Sequence, residues 1–259
     1  MLYGLKLLVV CMITVPAALL AIVVGLFDSY GKRVHLITRA WSRLILAICR
    51  ITVKVKGLSQ LEPRHQYVFM VNHQSHVDIP VLVKSLPAFQ LRWIAKRELL
   101  RVPFFGWAMW SGKHITINRA DRFDASGSLK KAKQRMTGGI SLVIFPEGTR
   151  SSDGHLLPFK RGGLLLAVKT QTPIVPVTIV GSSEILPKGD WRVKSGQIEV
   201  TVGAPVAVEN YRPGALRSLS VDIQELINSN LLSASQRMKT TDRETCYDTS
   251  QAAQGETTV

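Results

Sequence analysis

The chain opens with its most apolar stretch. Leu7 to Phe27 is 21 residues without a charged side chain, bounded by Lys6 and Asp28. As a helix it would extend about 31 Å, enough to cross the hydrocarbon core of a bilayer. Pro16 in its middle allows a kink or a re-entrant path as well as a straight span. A cleaved signal peptide is the rival reading; the stretch is long for one, and no small-x-small site closes it. Residues 30–50 then switch to a helical period, with Val34, Ile37, Trp41, Leu44, Ile45 and Ile48 on one stripe and Lys32, Arg39 and Arg43 off it. Such a helix can pack on a neighbouring domain or lie in a membrane interface with its cations toward lipid phosphates.

From residue 51 the pattern alternates between short apolar runs and helical segments. Ile51–Lys56, Tyr67–Val71, Leu91–Ala95, His114–Ile117, Ser141–Phe145, Ile174–Val180 and Gln197–Val202 read as strands. Ile79–Ser85, Ser126–Thr137 and Gly162–Thr170 read as the helices between them, and Val221–Leu232 as a terminal helix. That order predicts an α/β fold, a largely parallel central sheet covered by helices and preceded by an N-terminal membrane-associated helical segment. Three parts result: 1–50, the apolar segment with its basic amphipathic helix; 51–232, the α/β domain; and 233–259, a polar Ser/Thr/Gln-rich tail expected to be disordered.

Charge narrows the partners. The formal net charge is +15, and no acid occurs from Gly31 to Gln60. A balance that basic points to a polyanion: nucleic acid, an anionic membrane surface, or phosphorylated substrates. Aromatics are only 7% and no RNP or zinc-finger pattern occurs, so a nucleic-acid partner is not expected. The cations that follow the apolar stretch place the α/β domain on the cytoplasmic side of a membrane. Cys11, Cys49 and Cys246 are scattered, giving neither a disulfide framework nor a metal spacing.

Chemistry concentrates at strand ends. His73 and Asp78 follow the buried run that ends at Val71, with Asp78 suited to cap the next helix. A carboxylate there can orient an imidazole and stabilise its protonated form, which makes a general base. His73, His76 and Asp78 could instead hold a metal, although no further ligand cluster completes such a site. Ser75 could be a nucleophile, but no G-x-S-x-G elbow is present. At Phe145-Pro146-Glu147-Gly148-Thr149-Arg150 a strand ends in a rigid turn. There Thr149 and Arg150 offer a hydroxyl and a planar cation suited to phosphate, and Glu147 could pair with Arg150. Arg119 closes Gly112–Arg119, while Lys96 and Lys160-Arg161 add cations at other element ends, which a parallel sheet gathers at one edge. Val102–Trp110 is apolar and aromatic, suited to core, to an acyl-chain tunnel or to a membrane dip.

Four of these stretches, in order over roughly residues 50 to 205, resemble the sequence blocks of the glycerolipid acyltransferases, specifically the 1-acyl-sn-glycerol-3-phosphate (lysophosphatidate) acyltransferases. They are the H-x-x-x-x-D of His73 to Asp78, Gly112–Arg119, Phe145–Arg150, and Ile174-Val175-Pro176-Val177. Asn118 stands where the family often has Asp, a departure that leaves Arg119 in place. The resemblance implies acyl transfer from acyl-CoA or acyl-carrier protein to the free hydroxyl of lysophosphatidate, giving phosphatidate, with no metal and no bound cofactor. It implies His73 and Asp78 as catalytic; Arg119, Glu147, Gly148, Thr149 and Arg150 as the phosphate site; and Pro176 as part of acyl-donor binding. Lys96 or a backbone N–H near His73 would support the oxyanion. Another lysolipid acceptor, such as a lyso-ornithine lipid, is the alternative within the same family.

Overall fold

The computed structural model describes residues 2–117, 138–209 and 213–255, together with 130, 132–134, 136 and 211. Helix α1 (Leu2–Leu26) and helix α2 (Lys32–Ile48) precede strand β1 (Ile51–Lys56). The chain continues through β2 (Val68–Val71), α3 (Asp78–Ser85), β3 (Gln90–Lys96), α4 (Phe105–Ser111), β4 (Ile115–Ile117) and β5 (Ile140–Ile144). It ends with α5 (Arg161–Thr170), β6 (Ile174–Val180), the single turn α6 (Ser182–Ile185), β7 (Gly196–Val202) and α7 (Leu216–Gly255). The helix expected over Ser126–Thr137 falls largely outside the described residues.

The strands form one seven-stranded sheet in the order β1-β7-β6-β2-β5-β3-β4. Every neighbouring pair is parallel except β6–β7, so β7 and β1 run opposite to a five-strand parallel block. All four β2 residues are buried, and their side chains alternate: Phe69 and Val71 face the α2/α3 layer, Val68 and Met70 the α5/α7 layer. Burial on both faces is what a parallel centre requires, and each such side chain contributes about 1.5–3 kcal/mol. Because β2, β5, β3 and β4 are mutually parallel, the segments that follow them emerge at one edge. Residues 72–78, 145–151, 96–101 and the end of β4 at Ile117 therefore share one end of the sheet.

α1 is docked on the domain along its length. Lys6 Nζ reaches Val193 O at 3.4 Å and Ser195 Oγ at 3.1 Å, and Trp41 Nε1 donates to Thr14 Oγ1 at 3.0 Å. Near its other end Gly25 lies so close to Ser111 of α4 that a Cβ would sit 2.4 Å from the Ser111 Cβ. The stretch read as a membrane segment thus has one face on protein, while Leu5, Leu8, Met12, Leu19, Leu20 and Val23 on other faces stay exposed. By length and composition Tyr3–Leu26 is able to cross a membrane. α2 is correspondingly sandwiched, and its buried residues are Val34, His35, Ser42, Ile45 and Leu46; Leu44 of the expected stripe is 45% exposed. The α1–α2 joint is tied down by polar groups. Asp28 Oδ2 accepts the Arg33 and Val34 N–H at 2.6 and 3.1 Å, capping α2. The buried Arg92 guanidinium donates to Tyr30 O at 2.6 Å and Leu91 O at 2.7 Å. His35 donates to Phe89 O at 3.2 Å, and burial, then the Arg92 charge, drive its pKa down to about 3.

Asp78 is the first residue of α3, not its cap, and its carboxylate turns back into the preceding loop. α7 runs from Leu216 to Gly255. No Pro or Gly interrupts residues 216–254, and extending a helix from a packed first half costs little per residue. Its buried side chains include Leu219, Ile223, Ile227 and Ala234.

Candidate active site

The site starts at the end of β2. Asn72 is buried and its amide pairs with the Ile179 backbone both ways, Nδ2 to O at 2.8 Å and Oδ1 from N at 2.7 Å. This side-chain clamp to β6 fixes where the chain leaves the sheet, one residue before His73. The next turn folds around one carboxylate oxygen: Asp78 Oδ2 accepts from His73 Nδ1 at 2.8 Å, Gln74 N at 2.8 Å and Ser75 N at 2.9 Å. Asp78 is wholly buried, whereas the His73 side chain is 17% exposed. A carboxylate bonded to Nδ1 selects the tautomer that presents Nε2 as the basic nitrogen. The Phe145 ring stacks on the imidazole at 3.9 Å and 13°, limiting its rotation. The arrangement is an imidazole oriented by a buried counter-charge.

The β5 loop is laced to this turn. Ser151 N donates to His73 O at 2.8 Å, and Gln74 Nε2 donates to Gly154 O at 2.8 Å. Gly148 has φ 74°, a left-handed conformation that suits glycine. Thr149 is exposed and Arg150 half-buried, so both groups suited to phosphate keep solvent contact. Desolvation, and next the Arg150 charge, hold His76 below its ordinary pKa even though the residue keeps solvent contact.

Glu147 requires a correction. It was grouped with the phosphate-binding residues and offered as a partner for Arg150, but it is buried and turned inward. Its Oε1 accepts the His73 N–H at 2.7 Å and its Oε2 the Leu157 N–H at 2.9 Å. With both oxygens committed to backbone N–H groups, the carboxyl positions the backbone of His73 and the far end of the loop. Burial pushes its carboxyl up to about 7, against the lowering effect of those two N–H donors.

The oxyanion assignment also narrows. The N–H groups of His73, Gln74, Ser75 and Val77 all donate within the fold: to Glu147, to Asp78 twice, and to Ser75 Oγ. None of these four is left to stabilise a developing charge. Ser75 Oγ donates to Leu186 O at 2.7 Å, which makes it a turn residue. Lys96 ends β3, exposed, in register with Ile117. Arg119 and Asn118 lie outside the described residues. Pro176 is buried within β6, in register with Met70 of β2, and its carbonyl accepts Gly203 N at 2.8 Å. Among the described residues no group of three or more His, Cys, Asp or Glu side chains is placed to hold a metal.

Sequence reasoning missed Asn72, Phe145 as a stacking partner, and the loop after α6 that reaches back to this end of the sheet. A polar residue directly after a four-residue buried run was a usable signal for Asn72; the others depend on long-range packing.

A family model described as Acyltransferase matches residues 52–180. The Ovis aries protein named 1-acyl-sn-glycerol-3-phosphate acyltransferase alpha is 37% identical over 171 residues, 66% of this chain and 59% of its own length. The chain thus spans about three fifths of that mammalian relative. The Limnanthes douglasii 1-acyl-sn-glycerol-3-phosphate acyltransferase is 31% identical over 201 residues, 77% of this chain and 70% of its own. The crystal structure of the 1-acyl-sn-glycerophosphate (LPA) acyltransferase PlsC from Thermotoga maritima superposes with a TM-score of 0.71 at 25% identity, covering 90% of this chain and 98% of that one. With the His73–Asp78 turn and the Glu147–Arg150 loop inside the matched span, the chain belongs to the acyltransferase family of these proteins.

Proposed function

We propose that this protein transfers an acyl group from acyl-CoA or acyl-carrier protein to the free hydroxyl of 1-acylglycerol 3-phosphate, forming phosphatidate. The observation that carries this reading is the 2.8 Å His73–Asp78 pair with the Arg150 loop bonded directly to its turn. His73 Nε2 would take the proton from the acceptor hydroxyl as its oxygen attacks the thioester carbonyl, and Asp78 would stabilise the imidazolium formed. The tetrahedral intermediate collapses by expelling the thiolate, which takes that proton back from His73. The nucleophile belongs to the substrate, so no covalent enzyme intermediate is required. The thioester carries the activation, and the proposed step uses no metal or bound cofactor. Arg150 and Arg119 would bind the acceptor's phosphate and so align its hydroxyl.

The acceptor and product are lipids, and the exposed apolar face of α1 supports membrane association. It continues onto α4, where Phe104, Phe105, Trp107 and Trp110 are 42–58% exposed. Aromatic side chains of this kind suit headgroup depth, and the basic excess suits an anionic surface facing the cytoplasm. Val102–Trp110 is thereby better suited to the interface than to the core.

The test is thiol release from one acyl-CoA in neutral detergent micelles, measured with a panel of lysolipid acceptors that includes a lyso-ornithine lipid. Turnover should require lysophosphatidate, yield phosphatidate and vanish in His73→Ala. Equal use of phosphorylated and unphosphorylated acceptors by the wild type would overturn the reading.

A further inference from the structure

The loop that follows α6 lies outside every block of the family resemblance, yet it contacts the candidate site at three points. Leu186 O accepts Ser75 Oγ at 2.7 Å, on the catalytic turn. Lys188 Nζ donates to Arg150 O at 2.9 Å, on the phosphate loop. The Trp191 ring stacks on His76 at 6.4 Å and 23° and is itself 66% exposed. The acid nearest in sequence to Lys188 is committed elsewhere: Asp190 accepts the Trp191 and Arg192 N–H groups and is paired with the Arg192 guanidinium at 2.9 Å. Among the described residues no carboxylate pairs with Lys188. Its ammonium therefore lies against the Arg150 backbone carbonyl, with no carboxylate partner among the described residues and with two N–H donors beyond the one it uses.

We propose that Lys188 is a further cation, besides Arg150 and Arg119, for the phosphate monoester of the acceptor, and that the Leu186–Arg192 loop is a wall of the acceptor site. This rests on the acyltransferase reading above and deepens it. The chemistry of the two substrates separates them. In lysophosphatidate the phosphate sits on the carbon next to the one that carries the reacting hydroxyl. A segment that touches the His73 turn can therefore bring a cation to it, and this loop touches that turn through Ser75. The donor's phosphates lie at the far end of a pantetheine arm, away from the thioester. A further cation on the same loop contact also favours selection for a phosphorylated acceptor, because a neutral acceptor leaves its charge uncompensated.

Lys188→Gln tests this, because Gln keeps an N–H donor for the Arg150 carbonyl and removes only the charge. In neutral micelles with one acyl-CoA, Lys188→Gln should raise the KM for lysophosphatidate about tenfold, the equivalent of one charge-assisted hydrogen bond. Its KM for acyl-CoA should stay within about twofold, and Lys188→Arg should recover most of the lysophosphatidate affinity. An unchanged KM for lysophosphatidate in Lys188→Gln overturns the proposal and leaves the acyltransferase reading standing. A rise in the KM for acyl-CoA instead assigns the ammonium to the donor and also overturns it. A defect seen only on anionic vesicles and absent in neutral micelles overturns it in favour of a bilayer contact. A wild type that does not acylate lysophosphatidate removes the reading itself, and this proposal with it.

Discussion

Replacing Asp78 by Asn separates the charge of the dyad from its shape. The carboxylate uses a single oxygen for all three donors, His73 Nδ1, Gln74 N and Ser75 N, while Oδ1 has no hydrogen-bond partner among the described residues. An Asn can therefore keep an acceptor oxygen toward the loop and turn its NH2 to the Oδ1 position, so the turn should persist. What disappears is the negative charge 2.8 Å from the imidazole. At an effective dielectric of about 20, that charge stabilises an imidazolium by about 6 kcal/mol. The amide dipole retains part of this, so kcat should fall by about three to four orders of magnitude. Lysophosphatidate-dependent thiol release gives the rate, and a thermal melt on the same preparation gives the stability control. Activity within tenfold of wild type in a folded Asp78→Asn protein would refute the role assigned to the dyad. A melting point that collapses in parallel would show instead that Asp78 is needed mainly to hold the turn.

Two other outcomes follow from buried titratable groups. Glu147→Gln should lower kcat, because an amide cannot accept from both His73 N and Leu157 N. Yet its stability at pH 8 should match or exceed wild type. With a folded pKa raised from 4.5 to about 7, wild-type Glu147 keeps its proton on folding while the unfolded chain has lost it, so its contribution falls between those values and stays low above. Denaturant titrations at pH 5 and pH 8 would show this as a stability difference that grows with pH; a difference of opposite sign refutes the assignment. His35 has the reverse sign: its folded pKa, about 3, lies below the ordinary 6.5, so its contribution is full above 6.5 and is lost as pH falls toward 3. Relative to His35→Gln, wild-type stability should therefore fall by about 1.4 kcal/mol per unit as pH drops from 6 to 4. Parallel pH profiles for the two proteins would contradict a neutral buried ring.

Much of this protein was legible without coordinates, for local reasons. All seven strands were placed to within a residue or so, because a buried parallel strand must be a short continuous apolar run, and each run here is bounded by polar or turn residues. His73, Asp78 and Arg150 were legible because strand–turn–helix connections put residues five apart within reach, and because parallel strands share one edge. The inward turn of Glu147 was not, since its partners His73 and Leu157 are brought to it by the pairing of β2 with β5 and by a loop that doubles back. The return of Lys188 to Arg150 joins residues 38 apart and depends on where α6 leaves the sheet. Nor could the sequence say whether the first helix stands free. Its composition determines that it is apolar enough for lipid; Lys6, Thr14 and Gly25 meeting the domain at three places decide that one face packs on protein. Periodicity and turn chemistry act over a few residues and can be read along the chain, whereas which long-range partners satisfy a buried carboxylate, an ammonium or an apolar face depends on the packed arrangement alone.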